Sequence, residues 1–156
     1  MSEVVYLENI QFSVMFCNDV RFERDGQVTY VGVYQPHLTV KEFPYTFRNF
    51  SAVLTLLAPA EVGTEKIGFR VFRNDKVVMD FAPTLAEMPS TERNMRVSVN
   101  MQTEAFEITE PSKFHAEVMV GDKVYRSRNT LNVTTQPFAG WTVDGKETKP
   151  RFDEPF

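Results

Sequence analysis

The chain has 156 residues, 42% of them hydrophobic, 14 of them Phe, and 24% charged. That is enough apolar material for one core in one domain, and the charged fraction excludes overall disorder. A formal net charge of −4 and a pI near 5.3 exclude a protein that grips nucleic acid through its global charge.

Taken in chain order, Ile10, Phe12, Val14 and Phe16 alternate with Gln11, Ser13 and Met15, which predicts a half-buried strand. The stretch Phe16 to Tyr34 follows, with two β-rich runs flanking Asp25-Gly26. That dipeptide is a strong hairpin signal, because both residues tolerate the positive φ of a tight turn. The second arm, Val28 to Tyr34, is apolar on both faces and predicts a central strand. Pro36 ends it, His37 to Val40 forms a short run, and Phe43-Pro44 marks an edge or a corner. Phe50 to Leu57 predicts a strand closed by Pro59 and Gly63.

Ile67, Phe69 and Val71 alternate with Gly68, Arg70 and Phe72. Asn74-Asp75 then turns the chain back through Val77, Met79 and Phe81. Residues 83–91 hold one short helical turn between two prolines. Val97, Val99 and Met101 alternate, and Phe106 and Ile108 follow as a separate short strand. Phe114 to Val120 alternates up to Gly121-Asp122, a two-residue turn, and Val124 to Val133 returns with a bulge near Tyr125 to Arg128.

About nine strands with no helix-period segment predict an all-β fold, an antiparallel β-sandwich of immunoglobulin-like or C2-like type. The sandwich takes residues 1–134. Residues 135–156 carry three prolines and two glycines without sustained alternation and read as an irregular C-terminal arm.

The segment Phe16-Cys17-Asn18-Asp19-Val20-Arg21, then Gly26, then Tyr30-Val31-Gly32-Val33-Tyr34, resembles an uncharacterised bacterial β-sandwich family. Its pattern is C-[DN]-D-V-R, a turn, then G-V-Y, with a Phe-Pro step that Phe43-Pro44 matches. This chain carries Asn18 where the pattern tends to an acid. The resemblance implies a sandwich over roughly residues 8–134 and brings no functional residues with it.

Cys17 is the sole cysteine, so no intramolecular disulfide and no Cys-based zinc site can form. The acidic, alternating start lacks a signal-peptide pattern, and no apolar run approaches the roughly 18 residues of a membrane span. These features predict a cytoplasmic protein. Asn49-Phe50-Ser51 and Asn132-Val133-Thr134 are then chance matches to a glycosylation pattern.

The histidines are His37 and His115, and neither falls in a G-x-S-x-G, P-loop or H-E-x-x-H context. Cys17 reads as a buried structural thiol. Asp19, Glu23 and Asp25 read as a solvated turn, because one hairpin offers too few oxygens for calcium. The prediction is no catalytic residue, no metal and no cofactor. An enzyme built on loops around Asp19, Glu23 and His115, or a calcium-binding sandwich, stands as an alternative. A second alternative is a single-stranded nucleic-acid binder using Arg70, Phe72, Arg126 and Arg128, where arginines interleave with aromatics.

The chain stops at Phe152-Asp153-Glu154-Pro155-Phe156, which resembles the C-terminal tip of bacterial single-stranded-DNA-binding proteins. A terminal Phe fills an apolar pocket while its carboxylate meets a cation, so this tip reads as a docking peptide. The competing reading folds Phe152 and Phe156 back onto the sandwich. The expected role is a non-catalytic protein-binding or adaptor module that presents an edge, a loop or its tail. Self-association through edge strands is a variant of that role.

Overall fold

Residues 10–85 and 94–136, with the paired segments 142–143 and 146–147, are described by the structure, a computed structural model. Twelve strands run in chain order: β1 (Gln11–Phe22), β2 (Val28–Val33), β3 (His37–Thr39), β4 (Tyr45–Pro59), β5 (Lys66–Arg73), β6 (Lys76–Leu85), β7 (Asn94–Ile108), β8 (Ser112–Val120), β9 (Lys123–Arg126), β10 (Leu131–Thr134), β11 (Thr142–Val143) and β12 (Lys146–Glu147). One 3₁₀ turn, Ala60–Thr64, links β4 to β5, and the described residues hold no α-helix. None of the described residues forms a helix long and apolar enough to cross a membrane.

The first sheet has the order β2-β1-β4-β7, all antiparallel. The second has the order β3-β10-β8-β5-β6, with β9 also paired to β8, and is antiparallel except for the β3–β10 pair. Among the described residues, β11 and β12 pair with each other and with no other strand. The fold is therefore an all-β sandwich.

The two sheets meet through an aromatic centre. Phe16 and Phe50 from the first sheet close on Phe114 from the second at 6.1 and 5.0 Å between ring centroids, and Phe47 and Phe106 complete the group. Phe47, Phe50, Phe69 and Phe114 are fully buried. Each contributes about 1.5–3 kcal/mol by leaving water. Leu54, Leu56, Val71 and Val118 extend the core along the same faces.

Several boundaries differ from the pattern reading. β4 runs from Tyr45 rather than Phe50, because the ladder with β7 already begins at the Tyr45–Ile108 pair. Phe106 and Ile108 belong to the same long β7 as Val97. The strand passes through Ala105 at φ 49, a local kink that breaks the alternation without ending the pairing. Pro83 lies inside β6, where an edge position makes its missing N–H harmless. Residues 83–85 are thus strand, and the rest of the expected helical turn lies outside the described residues.

The return from Val124 is split into β9 and β10. Ser127 bridges the gap: its N–H donates to Ala116 O at 2.8 Å, and its Oγ accepts from Ala116 N–H at 3.1 Å. Asn74 and Asp75 both take positive φ (45° and 66°), the signature of the tight two-residue turn expected there.

Candidate functional site

The β1–β2 hairpin holds the most unusual surface of the molecule. Its turn is a five-residue loop from Glu23 to Gln27 rather than a two-residue Asp-Gly turn. Glu23 N–H donates to Gln27 O at 2.8 Å and Gly26 N–H to Glu23 O at 3.1 Å. Only Gly26 takes a positive φ, 84°. Asp25 instead accepts the Gln27 N–H on its carboxylate at 3.1 Å, replacing a backbone acceptor. Thr29 Oγ1 donates to Glu23 Oε1 at 3.1 Å, which ties the loop to β2.

At its base the hairpin reaches the aromatic core through Tyr34. The Tyr34 ring lies edge-on to Phe47 at 5.6 Å and near Phe50 at 6.3 Å. Its hydroxyl donates to Asn18 Oδ1, and burial pushes the phenol up to about 12. The Asn18 side chain lies over Gly32, where an added Cβ would overlap it, and Gly32 sits at φ 62. Glycine is thus required twice there, for its backbone angle and for the space above it. Ser51 Oγ donates to Asn18 O at 3.5 Å, which joins this corner to β4.

Cys17 is fully buried in a small cluster with Val20 and Val53, with Met15 packed against it. Its thiol donates to Asp19 O at 3.6 Å, and burial pushes the thiol pKa up, away from nucleophilic reactivity. The Arg21 guanidinium, bonded to Asp19 at 3.1 Å, holds that carboxyl below its ordinary range, and Gln102 also donates to it.

Beyond this base the hairpin is apolar and open. Phe22 is 73% exposed, Val28 40%, Tyr30 42% and Val33 45%. Phe22 pairs directly with Val28, and Val20 with Tyr30, so Phe22, Val28 and Tyr30 share one face. These four make up half of the large apolar side chains that stand exposed among the described residues. β2 is not the central strand that its two apolar faces predict. Among the described residues it is the edge of the first sheet, paired to β1 alone. A strand apolar on both faces has two explanations, neighbours in its own sheet or a surface awaiting cover, and pattern alone does not separate them.

The remaining candidate residues fall elsewhere. Arg70, Phe72 and Arg126 lie on the outer face of the second sheet. Register makes a row across four strands there: Asp80 opposite Arg70, Arg70 opposite Glu117, Glu117 opposite Arg126. Arg70 Nε donates to Asp80 at 3.4 Å, and Arg126 donates twice to Glu117 Oε1, at 3.1 and 2.9 Å. Phe72 stacks flat on His115, centroids 4.9 Å apart and planes 2° apart. Arg128 is exposed in the segment between β9 and β10.

His115 is buried, with Nε2 3.9 Å from Glu117 Oε1 and without a hydrogen-bond partner. Burial, followed by Arg126, pushes its pKa down. Asp19 and Glu23 belong to the β1–β2 hairpin of the first sheet, and His115 to β8 of the second. No group of three or more His, Cys, Asp or Glu poised for a metal occurs among the described residues. The tail residues Phe152, Asp153, Glu154, Pro155 and Phe156 lie outside the described residues.

Residues 13–134 match a family model described as a family of unknown function, DUF6941. The chain belongs to that family. The match begins inside β1 and ends on Thr134, the last residue of β10, so DUF6941 takes in both sheets of the sandwich and the whole hairpin. No curated protein matches the chain.

Proposed function

We propose that this DUF6941 chain is a non-catalytic protein-binding module that takes its partner along the free edge of β2 and the apolar face of the β1–β2 hairpin. The reading is carried by the contrast between β2 and the other free edges. Sheet edges invite pairing, and proteins blunt them with charge, proline, kinks or shortness. β7 presents Arg96, Ser98, Gln102 and Glu104 and kinks at Ala105. β6 carries Pro83 and irregular register against β5. β3 has three residues, and β9 is bounded by Lys123 and Arg126. β2 has no charge and no proline, and its one irregularity, Gly32, falls next to its end.

The apolar hairpin face adds the hydrophobic term that main-chain pairing lacks. A lone, buried cysteine fits a reducing, cytoplasmic setting for this role. The test is capture from native lysate with the full chain and with a Phe22→Ser/Tyr30→Ser double variant. Both side chains are exposed, so the variant keeps its fold and melting temperature. Loss of the captured protein is the expected result. Unchanged capture by a folded variant removes the hairpin as the binding surface.

A further inference from the structure

We infer that the occupant of the β2 edge is a second copy of this chain, joined antiparallel across a two-fold axis into one eight-stranded sheet. The inference rests on the reading of the hairpin as a docking surface and names its partner.

The first argument is charge. From Gln27 to Gln35 the chain carries no charged residue, so two copies of β2 meet without like charges facing each other. A strand selected to receive a different, charged partner would carry complementary charges to steer it, and this edge has none to offer.

The second argument is self-complementarity. A two-fold axis perpendicular to the sheet makes the strands antiparallel and keeps each face on its own side. With Val31 on the axis, Tyr30 of one copy lies opposite Gly32 of the other, and Thr29 lies opposite Val33. The Asn18 side chain already lies over Gly32, so the ring of the second copy meets a strand position with no side chain of its own and packs beside that amide. Tyr30 and Val33, 42% and 45% exposed in the single chain, both gain cover. The strand is short, at six residues, so the axis pairs Thr29 to Val33 of the two copies and leaves only Val28 beyond the pairing.

The test is sedimentation equilibrium of the full chain beside Val31→Lys and Val77→Lys. Val31→Lys sets two like charges on the axis of the pairing. Val77 is an exposed valine on β6, in the other sheet, and serves as the matched control. The full chain and Val77→Lys sediment at twice 18.0 kDa, and Val31→Lys sediments at 18.0 kDa and still unfolds in one cooperative transition, at a melting temperature lowered only by the loss of the partner copy. A full chain that stays at 18.0 kDa up to its solubility limit overturns the second-copy proposal. So does a dimer that survives Val31→Lys. The hairpin reading is judged separately, by whether Phe22→Ser/Tyr30→Ser loses a captured protein.

Discussion

The outer face of the second sheet and the β1–β2 hairpin treat their side chains in opposite ways. On the sheet, charges close on one another: Asp80, Arg70, Glu117 and Arg126 alternate in sign across four strands, and Phe72 covers His115. On the hairpin, Phe22, Val28, Tyr30 and Val33 stand exposed. An arginine already bonded to a carboxylate has its charge partly answered inside the row, so the row offers a ligand little unanswered charge. An exposed apolar face keeps its hydrophobic free energy until a partner covers it. The surface richest in chemically expressive residues is thus the more self-contained one, and the plain valine strand is the one that leaves apolar surface exposed.

The comparison is sharpened first at the point where the hairpin meets the core. Phe50 touches Phe16, Phe47, Phe106, Phe114 and Tyr34, so Phe50→Ala opens a cavity beneath both the sandwich centre and the hairpin anchor. Urea unfolding is expected to show a loss of about 3–5 kcal/mol. Gly32→Ala is the next largest effect and acts on the hairpin alone. The left-handed angle costs about 1–2 kcal/mol for a residue with a Cβ, and Asn18 must also leave the hydroxyl of Tyr34. Hydrogen exchange is expected to quicken at β2 amides while β5 and β8 amides keep their protection. Equal quickening in both sheets would mean that the hairpin is not a separable unit.

Much of this was legible in the sequence, and the failures share one cause. Alternation located β1, β5 and β8, and turn chemistry located Asn74-Asp75 and Gly121-Asp122, because those signals are local. The order of strands within a sheet is not local. Val28 to Val33 has the composition of a buried strand, and its edge position follows from which strands flank β1, a fact written nowhere in those six residues. The same holds for Arg70 and Arg126. Each sits beside an aromatic in the chain, yet the carboxylates that take them up, Asp80 and Glu117, arrive from neighbouring strands through register. The Asn18–Gly32–Tyr34 corner was within reach: a glycine inside a strand pattern signals a close approach, and here the approaching group is the Asn18 side chain.

Titration separates the two regions from opposite ends of the pH scale. Tyr34, at the hairpin base, has its pKa raised by burial to about 12, above its ordinary value near 10. Its contribution to stability is full below pH 10 and is lost as the pH climbs toward 12, because the unfolded phenol ionises first. Phenolate absorbance is expected to show a late-titrating component that Tyr34→Phe removes. His115, on the sheet, has its pKa lowered, first by burial, then by Arg126 and Lys113, against the opposing pull of Glu117 and Asp75. A lowered histidine favours the neutral ring when folded, so its contribution is present above its ordinary pKa of 6.5 and is lost as the pH falls below it. Phe72→Ala uncovers the ring. The imidazole proton resonance is then expected to titrate closer to 6.5, and the acid limb of stability to flatten.

The smallest effect is the most direct probe of whether the charged row is self-contained. Glu117 is the acceptor that Arg126 bonds twice and the carboxylate nearest to His115. Arg126 is 62% exposed, so most of the pair's attraction is screened by water, and Glu117→Gln is expected to cost only ~0.2–1 kcal/mol in urea unfolding. The same change removes a negative charge that raises the His115 pKa, so that pKa moves further down. A larger loss, with His115 titrating upward, would mean that Glu117 holds the row through packing rather than charge. An electrostatic row gives instead a small cost that shrinks with added salt, because salt screens the exposed pair. The apolar hairpin runs the other way, since salts excluded from protein surfaces strengthen burial: sulfate is expected to tighten its association while weakening the row.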